Sequence, residues 1–273
     1  MNDRASADPP GAGTNREAAM ATTTAADIVE RIVEPIQLYT RSWMLAKSTD
    51  GYGVDLGFGS GAQFWVVGRA GVLGSCPVEV ATAAIAFEPL YKVREAWLGV
   101  PDGLTHYDVA LRYRDVLTAW GDRVLAGRDP GLLETVDVLG RRIVDAAPGA
   151  IGLIFAGWRQ LDVPESLPAR AALTVHLLRE LRGAAHIAAI TACGLTPLDA
   201  VLAATHAPPR TGPGYAERMG WKGPFRDPAE VREQRVEAER LTGAIIEPYF
   251  AGLSVEELER FGTAIEIVCA VED

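Results

Sequence analysis

From Ala25 onward the chain is a succession of helix starts, with almost no strand pattern beside them. Ile28, Ile32, Ile36 and Tyr39 recur at the spacing of one helical face, although Pro35 interrupts the run. Pro77 and Pro89 each open a short helix, at a point where a missing N–H costs nothing. The stretch 105–127 reads as a longer helix with Val109, Tyr113, Val116 and Trp120 on one side, and another runs from Pro130 to just before Pro148. In the second half, a helix beginning near Ser166 is expected to end on Gly183, followed by a short one over 185–194. Thr196 caps the next, with Pro197 in its first turn. A Pro- and Gly-rich loop over 207–227 precedes two last helices, the first of them strongly charged. The best strand-like runs are Gln63–Val67 and Ile151–Phe155, and either is short enough to be a buried helical turn.

This pattern excludes a parallel sheet, which needs strands and helices in alternation. That bears on the glycine-rich stretch from Asp55 to Ser75. Its first part, Asp55-Leu-Gly57-Phe-Gly59-Ser-Gly61, has the acidic-x-G-x-G-x-G spacing of a methyl-donor or nucleotide-sugar loop. Such a loop needs a buried strand before it and a second acidic residue about 20 residues on. The preceding residues 46–54 are polar and turn-forming, and a helix start stands where the second strand should be. The stretch therefore reads as an exposed, flexible turn, and no cofactor is assigned.

A repeated outline is visible. Arg69 precedes a small-residue turn and a helix starting at Cys76-Pro77; Arg182 precedes a similar turn and a helix starting at Thr196-Pro197. Two helices at a turn outline a helix-turn-helix unit. The expected fold is mainly α: two helix-turn-helix, winged-helix-like lobes related by a weak pseudo-repeat, with few short strands. Residues 1–23 are read as a disordered tail, 24–128 as an N-terminal helical lobe and 129–273 as a C-terminal one.

Charge and cysteine usage narrow the function classes. The net charge is −10, against the basic balance that phosphate neutralisation on nucleic acid requires. Cys76, Cys193 and Cys269 stand far apart, with no CxxC pair, which fits a reducing cytoplasm. The N-terminal residues lack the apolar segment of a signal peptide, and no apolar run is long enough to span a bilayer. No HxxxH, HxxE or Cys/His cluster is present among His106, His176, His186 and His206, so no metal is expected, and no G-x-S-x-G nucleophile elbow occurs.

Two groups of residues carry the candidate chemistry. Arg69 lies between the apolar runs Phe64–Val67 and Ala70–Leu73, where a cation is costly to bury unless paired. It either snorkels to solvent or holds an anion in a cleft. Arg179, Arg182 and His186 fall within two helical turns of one another. Imidazole titrates near neutral pH and suits proton transfer, with Glu180 and Glu34 as candidate carboxylate partners; a histidine filling a core gap is the plainer alternative.

These segments together resemble a family of mainly actinobacterial proteins of similar length, catalogued as helix-turn-helix or uncharacterised. The resemblance runs from about Val33 to the C-terminus. It rests on Gly68-Arg69-Ala70 with Leu73-Gly74, and on Leu177–Glu180 with Arg182, Gly183 and His186. Where the family carries His-Arg-Gly-Asp-Gly-His, this chain has Leu181 for the first His and Ala184-Ala185 for Asp-Gly. Where the family carries Arg-Ala-Ala-Pro-Leu-Gly, Gly71-Val72 replace Ala-Pro. The resemblance implies two helix-turn-helix-like lobes and no particular reaction.

The expected function is that of a small-molecule-binding protein, an enzyme of specialised metabolism, with a cleft between the lobes. Arg69 and His186 are the expected catalytic pair. Arg179, Arg182 and Glu34 are expected to bind substrate, and Tyr39, Phe64, Trp65 and Trp158 to supply apolar walls. The alternatives are a helix-turn-helix regulator and a non-catalytic ligand-binding homodimer. Against the regulator, the helices that start at Pro77 and Thr196 are small, apolar and acidic, where base readout needs Arg, Lys, Asn or Gln.

Overall fold

The structure, a computed structural model, describes residues 23–204 and 210–270. The tail expected over residues 1–22, and His206, lie outside the described residues. Thirteen α-helices and no strand occur among the described residues. In the first half they are α1 (Ala25–Met44), α2 (Lys47–Asp55), α3 (Gly61–Ala70), α4 (Val78–Ile85), α5 (Leu90–Leu98), α6 (His106–Leu125) and α7 (Pro130–Ala146). There follow α8 (Leu153–Trp158), α9 (Leu167–Ala192), α10 (Pro197–Leu202), α11 (Pro213–Arg218), α12 (Arg232–Ile246) and α13 (Val255–Cys269). The fold is mainly α.

Local signals account for most starts. Thr24, Thr105, Thr196 and Ser254 each accept from the backbone N–H three residues on, where an Asp or Glu returns the bond. Pro77 and Pro89 sit at the caps of α4 and α5. α1 runs straight through Pro35, which removes one internal hydrogen bond without ending the helix.

Three expectations are corrected. Both strand-like runs are helical: Gln63–Val67 lies inside α3, and Ile151–Phe155 spans a 3₁₀ turn and the start of α8. A lone strand would leave its backbone groups unpaired, whereas a buried helix satisfies its own. A wing, which needs strands, therefore has no counterpart among the described residues. The second correction concerns residues 46–54, read as a turn. They form α2, because Gly53 lets the Phe64 ring pack against the helix; a Cβ there would come within 2.5 Å of Phe64 Cβ. The turn that follows is not simply exposed, since Phe58 plugs into the core.

Third, α9 does not stop at Gly183. It is 26 residues long in all and runs on to Ala192, and the chain turns at Gly194, whose φ is +72°. Every residue from Ala171 to Leu178 is buried, two full turns with no solvent face. α9 is thus the central helix, packed by α1, α6, α7, α8 and α12. Its core is continuous with side chains of α1, α3, α6, α7 and α13. Two smaller apolar clusters, around Ile190, Leu195 and Val231 and around Val201, Leu202 and Ala216, lie at its C-terminal end.

The second half of the glycine stretch is a close-packing device. A Cβ on Gly71 would stand 2.1 Å from the His106 carbonyl oxygen, at the start of α6. Backbone cannot yield there, so Gly71→Ala is expected to cost about 1–3 kcal/mol in a urea unfolding midpoint. Gly51, inside α2 with nothing within 4 Å of its Cβ position, is the control. Gly51→Ala should stabilise by about 0.5–1 kcal/mol. Equal effects from the two would refute the packing role of Gly71.

Candidate functional site

A cavity of about 540 Å³ opens where the large core meets the two smaller clusters. Five arginines line it (Arg41 from α1, Arg69 from α3, Arg179 and Arg182 from α9, Arg235 from α12) against two carboxylates, Asp50 and Glu88. His186 faces the same space, so the cavity brings together Arg69, Arg179, Arg182, Trp65 and His186.

Arg69 sits in the last turn of α3. Trp158 Nε1 donates to its carbonyl at 2.9 Å, which pins this turn to α8. The side chain crosses to α9 and meets Glu180 side-on: Nε donates to Oε1 and Nη2 to Oε2, both at 2.9 Å. Such a fork fits carboxylate geometry closely. Gly183 borders it, and a Cβ there would lie 3.7 Å from Arg69 Nη2, in ordinary van der Waals contact. The guanidinium also lies 5.8 Å from the centre of the Trp65 ring. Nη1 makes no hydrogen bond among the described residues, so the fork faces Glu180 with one edge and keeps a donor for an incoming group.

Two carboxylates, one buried and one partly buried, each hold two arginines. Glu180 takes Arg69 and Arg179; Glu239, behind the other wall, takes Arg182 and Arg235, both at 2.6 Å. Burial opposes the charge on Glu180, but Arg69 and Arg179 overcome it and hold its carboxyl down at about 2. Burial likewise opposes the charge on Glu239, and Arg182 and Arg235 hold it below the usual carboxylate range. Arg41 differs: it has no ion pair among the described residues, and both burial and nearby Arg210 weaken its hold on its proton.

His186 is fixed by α12. Its Nδ1 lies 2.9 Å from Thr242 Oγ1, and that hydroxyl donates to the Ala238 carbonyl at 2.6 Å. With its proton committed, the Thr242 oxygen accepts, so Nδ1 carries a proton. Glu180 and Glu34, the expected carboxylate partners, do not hydrogen-bond it. Glu180 instead approaches His176, with Oε1 3.8 Å from its Nε2, and Glu34 is exposed on α1 away from the cavity.

The aromatic residues divide in the same way. Trp65 lines the cavity. Tyr39, Phe64 and Trp158 are fully buried core: Tyr39 packs edge-on to Trp120, and Phe64 packs edge-on to Tyr113. The cavity wall is instead Phe87, whose ring centre is 5.8 Å from that of His186. Phe87 and Glu88 follow Ala86, the only non-glycine residue with positive φ among the described residues (φ +65°, ψ −54°). The Phe87 N–H bonds to the Ile85 carbonyl at 2.9 Å, closing a γ-turn of the rare, strained hand. Strain of this kind persists where surrounding structure enforces it, and often at functional sites. Here it aims Phe87 and Glu88 into the cavity. Burial pushes the Glu88 carboxyl above the usual range, with Lys92 opposing. Nothing in the local sequence marks Glu88, Arg41 or Arg235, which reach the cavity only through tertiary packing.

Among the described residues no three His, Cys, Asp or Glu side chains gather closely enough to hold a metal ion, and no helix is long and apolar enough to cross a membrane. Neither a curated protein nor a solved structure matches the chain. A family model described as a helix-turn-helix family matches residues 26–271, nearly the whole length, and the chain belongs to that family.

Proposed function

We propose that this protein binds an anionic small molecule in the arginine-lined cavity, and that it is an enzyme in which His186 moves a proton on the bound molecule. The observation that carries the reading is the gathering of five arginines and a histidine held by Thr242 around one cavity, in a chain of net charge −10. Arg69 Nη1 and Arg41 supply donors that no carboxylate takes up among the described residues. Glu88 is a second candidate for proton transfer, because its raised affinity for a proton suits a general acid.

The family description favours a second reading, a DNA-binding regulator. Set against it, α4 presents Glu79, Val80 and Ala83 to solvent, and four of the six residues of α10 are buried. Neither helix carries an Arg, Lys, Asn or Gln for base edges. Fluorescence anisotropy with random duplex at low salt separates the readings: no change at micromolar protein is expected, and a clear rise would favour the regulator.

Thermal shift against a panel of carboxylates and phosphate esters tests the cavity, since binding to the native state raises its apparent stability. Arg41→Gln removes a donor that has no partner to orphan. The ligand-free melting point is therefore expected to stay within a degree or two, while affinity for an anion found in the screen falls about tenfold or more. Unchanged affinity would remove Arg41 from the site.

A further inference from the structure

A second cavity, of about 450 Å³, lies on the other side of Arg69. Its walls are the methyl groups of Ala83, Ala84 and Ala184 with Ile151, Phe155 and Ile187. Glu79 stands at its rim, exposed and paired with Arg94 at 3.0 Å. Inside, the only charges among the described residues are Arg69 and Glu180. The floor is tight, since a Cβ on Gly152 would stand 2.4 Å from Ala184 Cβ.

The wall between the two cavities is one residue thick. Arg69 lines both. Ala84 faces the apolar cavity and its chain neighbour Ile85 the cationic one. Ala184 faces the apolar cavity and its neighbour Gly183 the cationic one. Across this septum an apolar chamber adjoins a chamber lined by arginines, with Arg69, which still has a donor to offer, between them.

We infer that the ligand is an amphipathic anion, with its carboxylate or phosphate among the arginines and an alkyl or aryl tail passing beside Arg69 into the chamber walled by Ala83, Ala84 and Ala184. This rests on the anion-site reading above and narrows it to one substrate class. The Arg69–Glu180 pair becomes the hinge point of the site: it holds the head and borders the tail. The small side chains on α4 and α9 keep the tail chamber open.

The test is a straight-chain carboxylate series from acetate to decanoate, measured by calorimetry on the full chain. Affinity is expected to rise about fourfold per added methylene as the tail fills the chamber, then to level off. Ala83→Trp, at an exposed position on the chamber wall, should abolish the gain for octanoate and decanoate while leaving butyrate unchanged. Equal affinity for butyrate and octanoate in the unmodified protein would overturn the inference and leave the anion site standing; this comparison needs no variant to fold. A long-chain gain that survives Ala83→Trp would also overturn it, by placing the tail elsewhere. If no member of the series and no phosphate ester binds, the anion-site reading falls, and the inference with it.

Discussion

Glu180→Ala is expected to lower the melting temperature by roughly 10–15 °C. The carboxylate is the shared counter-charge of Arg69 and Arg179, and Arg69 is only 6% exposed. Removing one partner of a buried pair leaves an uncompensated charge, at a cost of about 3–5 kcal/mol. For a chain of this size each kcal/mol is worth about 2–4 °C. Glu180→Gln keeps the shape and some of the hydrogen bonding, so it should lose less. Asp115→Ala, which breaks the exposed pair with Arg114, should stay within about 0.5 kcal/mol. The acid limb should move as well. The Glu180 carboxyl, held at about 2 in the fold, contributes stability above its ordinary 4.5, and that contribution is lost as pH falls from there toward 2. Glu180→Gln should therefore flatten the stability profile below pH 4.5. A loss under about 1 kcal/mol for Glu180→Ala would show that water already reaches the pair.

The position of Arg69 was legible because a lone cation between apolar runs must find a partner or solvent, and the sequence around it offered neither. Arg179, Arg182 and His186 were legible because helical spacing alone puts them near one another. The start of α10 was readable from Thr196, which stands three residues before Asp199, a purely local signal. What was not legible depends on contacts far along the chain. Gly183 looks like a helix end, since glycine inside a helix costs about 1 kcal/mol. α9 runs through it because two full turns buried on every side outweigh that cost. The helical state of residues 46–54 is another tertiary override, supplied by the Phe64 ring. Tyr39, Phe64 and Trp158 look no different from Trp65 in sequence, and only packing separates a core aromatic from a cavity wall. Phe87 and Glu88 owe their placement to a strained turn at Ala86, which no residue preference at an alanine predicts.

The second large effect is expected at His176 and is one of pH. The ring lies between Trp158 and Trp43, with centres 4.3 Å and 5.6 Å away, and neither ring nitrogen has a hydrogen-bond partner among the described residues. Burial disfavours the imidazolium, with Arg179 and Arg69 adding to it and only Glu180 opposing, so the group is held down at about 3 against an ordinary 6.5. Between those values the unfolded chain binds a proton that the folded one refuses. Stability must then fall as pH drops through that window, by up to about 1.4 kcal/mol per pH unit. From pH 7 to pH 5 this one residue is expected to account for about 2 kcal/mol. His176→Phe removes the titration and the two unpartnered nitrogens while keeping an aromatic ring between the tryptophans. Its stability at pH 7 should be equal to or above that of the unmodified protein, because replacing an unsatisfied buried polar group by an apolar one of similar shape removes a desolvation cost. Its loss between pH 7 and pH 5, measured by urea unfolding at each pH, should be about 2 kcal/mol smaller. If the two proteins lose the same amount, His176 takes up its proton in the folded state, and water reaches the ring.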